Sequence, residues 1–256
     1  MTSPQEEESV FSNWNEFLSK NPQFKILVLD SSSSFLVCSF FQIHQEDLGF
    51  SFLLSATNEV KESRSSFQKL SFYLNDIFRQ HGFPNIVLVG VGPGSFTGVR
   101  ISVSTARNLA QFLRIPVIGI DSMSLYAYYL YKEHKLSEFY VIFDAKQKQV
   151  YMKKFDVSFF GNPIQIKSLM ELHELPSKVP FFVEEEFINT LQNSNREIKN
   201  HIYPIQKIES KTWIELLFDP KATMNDFYKS NYKEVLPLYI KQDPAHQKYP
   251  EGLKRL

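Results

Sequence analysis

Between Gly92 and Gly98 the chain reads Gly-Pro-Gly-Ser-Phe-Thr-Gly, with three glycines and two hydroxyls packed into one short run. Ahead of a helix, such a loop gathers backbone N–H groups and hydroxyls where orphan donors and the helix dipole favour anions. Gly92, Gly94, Ser95 and Thr97 are therefore candidate nucleotide or anion contacts. The familiar glycine motifs do not fit. A dinucleotide fingerprint started at Gly90 meets Ser95 where its third glycine belongs, and one started at Gly92 meets Thr97. A P-loop needs Lys and then Ser or Thr after its last glycine, but Val99 and Arg100 follow Gly98. The same residues also suit a geometric role, with the glycines making a turn and Thr97 capping the helix.

Two carboxylates sit where nucleotide-binding α/β folds hold magnesium or a general base. Asp30 closes the strand-like run from Phe24, and Asp144 closes the one from Tyr140. They define an alternative function, an independent ATPase or phosphotransferase. Against it, Ser31 to Ser34 lack the glycines that let backbone N–H groups wrap a phosphate. The six histidines are His44, His81, His134, His173, His201 and His246, no two closer than 28 residues, so no local metal pair exists. Cys38 is the lone cysteine and lies among apolar strand residues, which points to a core thiol and a reducing compartment.

The elements that must position these groups are legible around the loop. Ile86 to Val89 is a β-branched strand, and Val99, Val103, Ala106, Ala110 and Leu113 recur on one face of a helix from Thr97 to Leu113. Pro116 stops that helix, and Val117 to Ile120 starts the next strand, as in a right-handed crossover. Upstream, Phe24 to Asp30, Phe35 to Gln42 and Leu48 to Leu54 are strands, and about Ser65 to Gln80 is a helix. Its core stripe is Phe67, Leu70, Leu74, Ile77 and Phe78, with Phe72 and Tyr73 turned away from it. Three strands, helix, strand, helix, strand is the order of a ribonuclease-H-like lobe. Tyr140 to Asp144 and Gln149 to Asp156 form a strand pair, Pro180 to Val183 a short strand, and Glu184 to Asn195 a helix whose acidic start is solvated. No internal sequence repeat points to duplication.

Composition sets the limits. The 256 residues suffice for two packed lobes, and 28 basic against 28 acidic side chains leave no global attraction to nucleic acid or anionic membrane. Glu6 to Glu8 in an interrupted polar start are the opposite of a secretory signal, and no apolar run approaches a bilayer span. A cytoplasmic protein is expected. Phe11, Trp14, Phe17 and Leu18 suggest a short amphipathic helix ending near Asn21 and Pro22.

GVGPGSFTGVRISVSTARNLA with IPVIGIDSMSLYA, the opening ILVLDSSSS, FDAKQKQVY and the late PLYIKQ together resemble the TsaB family of bacterial tRNA threonylcarbamoyladenosine biosynthesis proteins. The likeness runs over roughly residues 25 to 242. It implies a two-lobed actin-like α/β fold with mixed sheets flanked by helices, and a non-catalytic subunit that supports a catalytic paralogue, TsaD. The complex of that family transfers threonylcarbamoyl from its adenylate to the N6 of adenosine thirty-seven in tRNAs reading codons that begin with A. An ATPase, TsaE, completes the set, so ATP or ADP and magnesium enter at the level of the complex, and this chain meets tRNA only through it. First-lobe helices make the TsaD contact in that family and also support self-pairing as a homodimer.

The resemblance and helical periodicity together select Phe72, Tyr73, Ile101, Thr105, Asn108 and Phe112 as the partner interface. No catalytic residue and no metal site are assigned. Expected boundaries are a polar extension over 1–23, a first lobe over 24–123, a smaller second lobe over 124–242 and a tail over 243–256. Ser102 and Asn108 stand where the family usually has glycine, Ser65 and Ser66 where it has histidine ahead of the first long helix. Lys146 and Lys241 stand where it has arginine, and they keep charge without the planar fork.

Overall fold

A computed structural model describes residues 14–33, 35–46, 49–61, 66–156, 164–194, 198–205, 208–219 and 232–238. The chain divides into two compact units, Met1–Tyr129 with Ile208–Pro237, and Leu130–Lys207 with Leu238–Leu256. Residues 208–237 thus rejoin the first unit, a return that the expected boundary at 124–242 does not include.

The first unit opens with α1 (Trp14–Lys20), then β1 (Gln23–Asp30), β2 (Phe35–Glu46) and β3 (Gly49–Lys61). Next come α2 (Ser66–His81), β4 (Ile86–Gly90), α3 (Phe96–Leu113), β5 (Val117–Ile120) and α4 (Ser122–His134), whose residues from Leu130 onward belong to the second unit. The sheet order is β3-β2-β1-β4-β5, with β1 antiparallel to β2 and parallel to β4. The mutually parallel strands β1, β4 and β5 are largely buried on both faces because both are covered. Their core joins Leu27, Leu29, Val87 and Val89 to Leu70, Leu74 and Ile77 of α2 and Val99, Val103, Ala106 and Ala110 of α3. Every helical stripe residue expected from the sequence is therefore buried, except Phe78 and Leu113, which are half-buried, and Phe67, whose side chain lies outside the described residues.

A final helix, α6 (Lys211–Phe218), belongs to this unit. Phe218 stacks on Phe50 at 4.1 Å, and the Ser210 and Ser39 hydroxyls are hydrogen-bonded at 2.7 Å. The expected amphipathic start is present as α1, where Phe17 meets Phe24 edge-on at 5.1 Å; Phe11 lies outside the described residues.

The second unit comprises β6 (Glu138–Asp144), β7 (Gln149–Asp156), β8 (Gln165–Ser168), a 3-10 helix (Leu169–Glu174), β9 (Phe181–Glu184), α5 (Glu185–Ser194) and β10 (Ile202–Ile205). Its sheet runs β10-β9-β6-β7-β8, again with a first strand central, two antiparallel neighbours on one side and two parallel on the other. The two units thus share one topology although the sequence shows no repeat. One sheet face buries Ile142, Met152, Phe181 and Val183 against Leu172, Phe187 and Leu191. Elsewhere an aromatic set stacks, with Phe139 on Phe155 at 4.5 Å, Phe182 on Tyr203 at 5.3 Å, and His134 5.0 Å from Phe182.

Candidate functional site

The glycine loop is clamped by the loop that follows β1. Ser95 N–H donates to the Ser32 carbonyl at 2.6 Å, and the Ser31 hydroxyl donates to the Gly98 carbonyl at 2.6 Å. A methyl group on Gly98 would lie 1.8 Å from the Ser31 carbonyl oxygen, and one on Gly94 2.1 Å from that of Ser32. Gly92 holds φ +93, the left-handed region, and its carbonyl accepts from Ser122 N–H at 2.9 Å. The glycines therefore admit two carbonyl oxygens of the serine loop at contact distance. Ser95 is the N-cap of α3: its hydroxyl accepts from Gly98 N–H at 3.3 Å and its carbonyl from Val99 N–H at 2.8 Å. That corrects the capping role expected for Thr97, which is exposed inside the first turn. Three donors of this terminus, on Ser95, Gly98 and Val99, are thus already engaged within the chain.

Asp30 sits beneath this clamp, 5% exposed and pressed on Gly90, whose added methyl would lie 2.3 Å from Oδ1. Ser32 N–H and its hydroxyl donate to the carboxylate at 2.9 and 3.0 Å. Burial raises Asp30 to about 6, against those hydrogen bonds, which lower it. Asp144 occupies the matching strand end of the second unit. Its Oδ1 accepts from Lys146 N–H at 2.7 Å, and its other oxygen pairs with the Lys146 ammonium. Lys146, Gln147 and Lys148 in the adjoining turn all hold φ near +60. Glu184 Oε2 accepts from Asp144 N–H at 3.1 Å, and burial raises this carboxyl to about 7. The expected solvated helix start holds for Glu185 and Glu186, but half-buried Glu184 departs from it because it ends β9 beside β6. Among the described residues no group of three or more His, Cys, Asp or Glu is placed to hold a metal. No described helix is long and apolar enough to cross a membrane.

The candidate docking residues lie on α2 and α3, which pack on one another. Phe72 is 68% exposed and Phe112 83% exposed. Asn108 is exposed, and Tyr73, Ile101 and Thr105 are half-buried. Tyr73 and Ile101 touch the core cluster, and Phe72 meets Tyr73 edge-on at 6.0 Å. Ser102, in a usual glycine position, is buried with its hydroxyl donating to the Gly98 carbonyl at 3.2 Å. Ser65 and Lys241 lie outside the described residues. Sequence reasoning passed over Phe83, 60% exposed, and Phe96, 45% exposed with the Arg100 guanidinium 3.6 Å over its ring. The four-residue spacing of Phe96 and Arg100 was the available signal.

A family model described as TsaD: tRNA N6-adenosine threonylcarbamoyltransferase matches residues 82–170, the glycine loop and α3 included. The tRNA threonylcarbamoyladenosine biosynthesis protein TsaB of Buchnera aphidicola (Schizaphis graminum) is 31% identical over 97 residues, 37% of this chain and 46% of that protein. Haemophilus influenzae TsaB is 32% identical over 110 residues, 41% of this chain and 44% of that protein. Bacillus subtilis TsaB is 42% identical over 65 residues, 25% and 28% of the two chains. The matches thus span less than half the length of these relatives. YeaZ from Pseudomonas aeruginosa has a similar fold, with TM-score 0.61 at 17% identity over 84% of this chain and all of that one. With the α/β fold as expected and curated relatives bearing one shared name, the chain resembles the TsaB family over the matched segments.

Proposed function

We propose that this chain is the non-catalytic subunit of a complex forming N6-threonylcarbamoyladenosine at position thirty-seven of tRNA, and that α2 and α3 dock its TsaD-type catalytic paralogue. The observation that carries the reading is the pair Phe72 and Phe112, two largely exposed aromatics on packed helices, with α3 inside the segment that matches the family model. Tyr73, Ile101, Thr105 and Asn108 complete the surface, which also serves homodimer formation. A TsaE-type ATPase joins the assembly in the cytoplasm and brings the nucleotide and magnesium requirement with it.

The rival phosphotransferase reading has less support. Ser31 and Ser32 turn carbonyl oxygens toward the glycine loop, and Asp30 directs its lone pairs at Ser32. The test is capture of the cognate TsaD-type protein by Phe72→Ala/Tyr73→Glu. Capture should disappear while the fold is kept; undiminished capture would remove this surface from consideration.

A further inference from the structure

The exposed edges of α3 differ in chemistry. Arg100, Ser104, Arg107, Gln111 and Arg114 recur at alternating four- and three-residue steps, which aligns them along one edge of the helix. Arg107 is half-buried and the other four are exposed. Every member of the stripe is a hydrogen-bond donor, and none is a carboxylate or an apolar residue. At 1.5 Å per residue it extends about 21 Å. A second edge of the helix, about 110° round from the first, carries half-buried Ile101 and Thr105 and exposed Asn108 and Phe112.

Charge sharpens the contrast. The whole chain is formally neutral, yet no Asp or Glu occurs between Asp76 and Asp121, while Arg79, Arg100, Arg107 and Arg114 do. Every charged side chain on α3 is therefore a cation. At the start of the stripe the Arg100 guanidinium lies over the half-exposed Phe96 ring at 3.6 Å, a stacked arginine of the kind that nucleic-acid surfaces use.

We propose that this edge of α3 binds the phosphate backbone of an RNA, so that one helix serves protein on its apolar edge and RNA on its donor edge. The inference rests on the reading of the chain as a subunit of a tRNA-modifying complex. Mixed guanidinium, hydroxyl and amide donors without an apolar centre suit phosphate oxygens, whereas a protein partner is expected to need a dry apolar core. Phosphate-directed donors of this kind position an RNA and carry no sequence information.

The test measures the affinity of the complex of this chain and its TsaD-type partner for an unmodified tRNA transcript, across a range of salt concentrations. Arg107→Glu/Arg114→Glu should weaken binding at least tenfold at about 100 mM salt and reduce the slope of log K against log salt by about one for each phosphate left without its arginine. Arg107→Lys/Arg114→Lys should keep most of the affinity, and capture of the partner should be unchanged in both. Gln111→Glu/Arg114→Glu, at exposed positions only, replaces the first variant if that one fails to fold. tRNA affinity within twofold of wild type, with capture intact, overturns this inference alone. Failure of capture with tRNA affinity retained assigns the edge to an acidic protein and also overturns it. A wild-type chain that captures no TsaD-type protein removes the functional reading, and this inference with it.

Discussion

Gly98 has no room for a methyl group. Helix propensity alone would favour alanine there by about 1 kcal/mol. The Ser31 carbonyl oxygen 1.8 Å from the added carbon reverses that sign, because backbone and not a flexible side-chain end must move. Gly98→Ala should therefore destabilise the first unit by about 3 kcal/mol, read as a lower urea midpoint. A neutral or stabilising result would mean that the serine loop does not clamp α3. Glu184 makes a pH prediction of definite sign. Burial raises its folded pKa from 4.5 to about 7, so the folded unit holds a proton that the unfolded chain has released. Its contribution is greatest below about pH 4.5 and fades as pH rises through about 7. Glu184→Gln should therefore make the second unit more stable than wild type at about pH 7.5, by on the order of 2 kcal/mol, with the difference shrinking toward about pH 5. Unfolding curves at the two pH values measure it. Asp30 carries the same sign in the first unit, over about pH 4 to 6.

Among the elements, α2 and α3 would on the proposed reading separate stability from docking. Their buried stripes hold the core, while Phe72 and Phe112 contribute little to it. Phe72→Ala/Phe112→Ala should leave thermal unfolding within about 0.5 kcal/mol of wild type but weaken partner capture by about 2 kcal/mol or more. Binding and melting measured on one preparation check both halves. These helices were legible because each buries one face and wets the other, which writes a 3.6-residue period into the sequence. The helix α4 was not, because Ser122 to Tyr128 are buried on every side and its aromatic run has no polar face to set a period. The strands β8 and β10 are four residues each and mostly half-exposed, too short for alternation to stand out. In the candidate site, the apolar exposure of Phe72 and Phe112 was readable from periodicity. The clamp between the serine loop and Gly98 was not, since it joins a serine hydroxyl to a backbone carbonyl 67 positions away.

Across the chain one sheet topology occurs twice, with Asp30 and Asp144 at equivalent strand ends and in different surroundings. In the first unit, glycines let a buried carboxyl and two carbonyls close over the strand end; in the second, Glu184 reaches across to Asp144 N–H. Of the backbone donors around the glycine loop, those on Ser95, Gly98 and Val99 are taken up within the chain. Residues 208–219 and 232–237 join the first unit late in the chain, with Trp213 2% exposed and Val235 1% exposed. Trp213→Ala should cost about 4 kcal/mol and unfold that unit ahead of the second, seen as protease cleavage within β1 to β5.

On the proposed reading the chain acts by docking to a sister subunit and performs no transfer of its own. Reconstitution of the tRNA modification from purified TsaD-type and TsaE-type proteins, with and without this chain, separates that role from every catalytic alternative. The expected result is no product from this chain alone and strong dependence of the complete system on adding it, abolished by Phe72→Ala/Phe112→Ala. Full modification in its absence, or turnover by the isolated chain, would contradict the docking role.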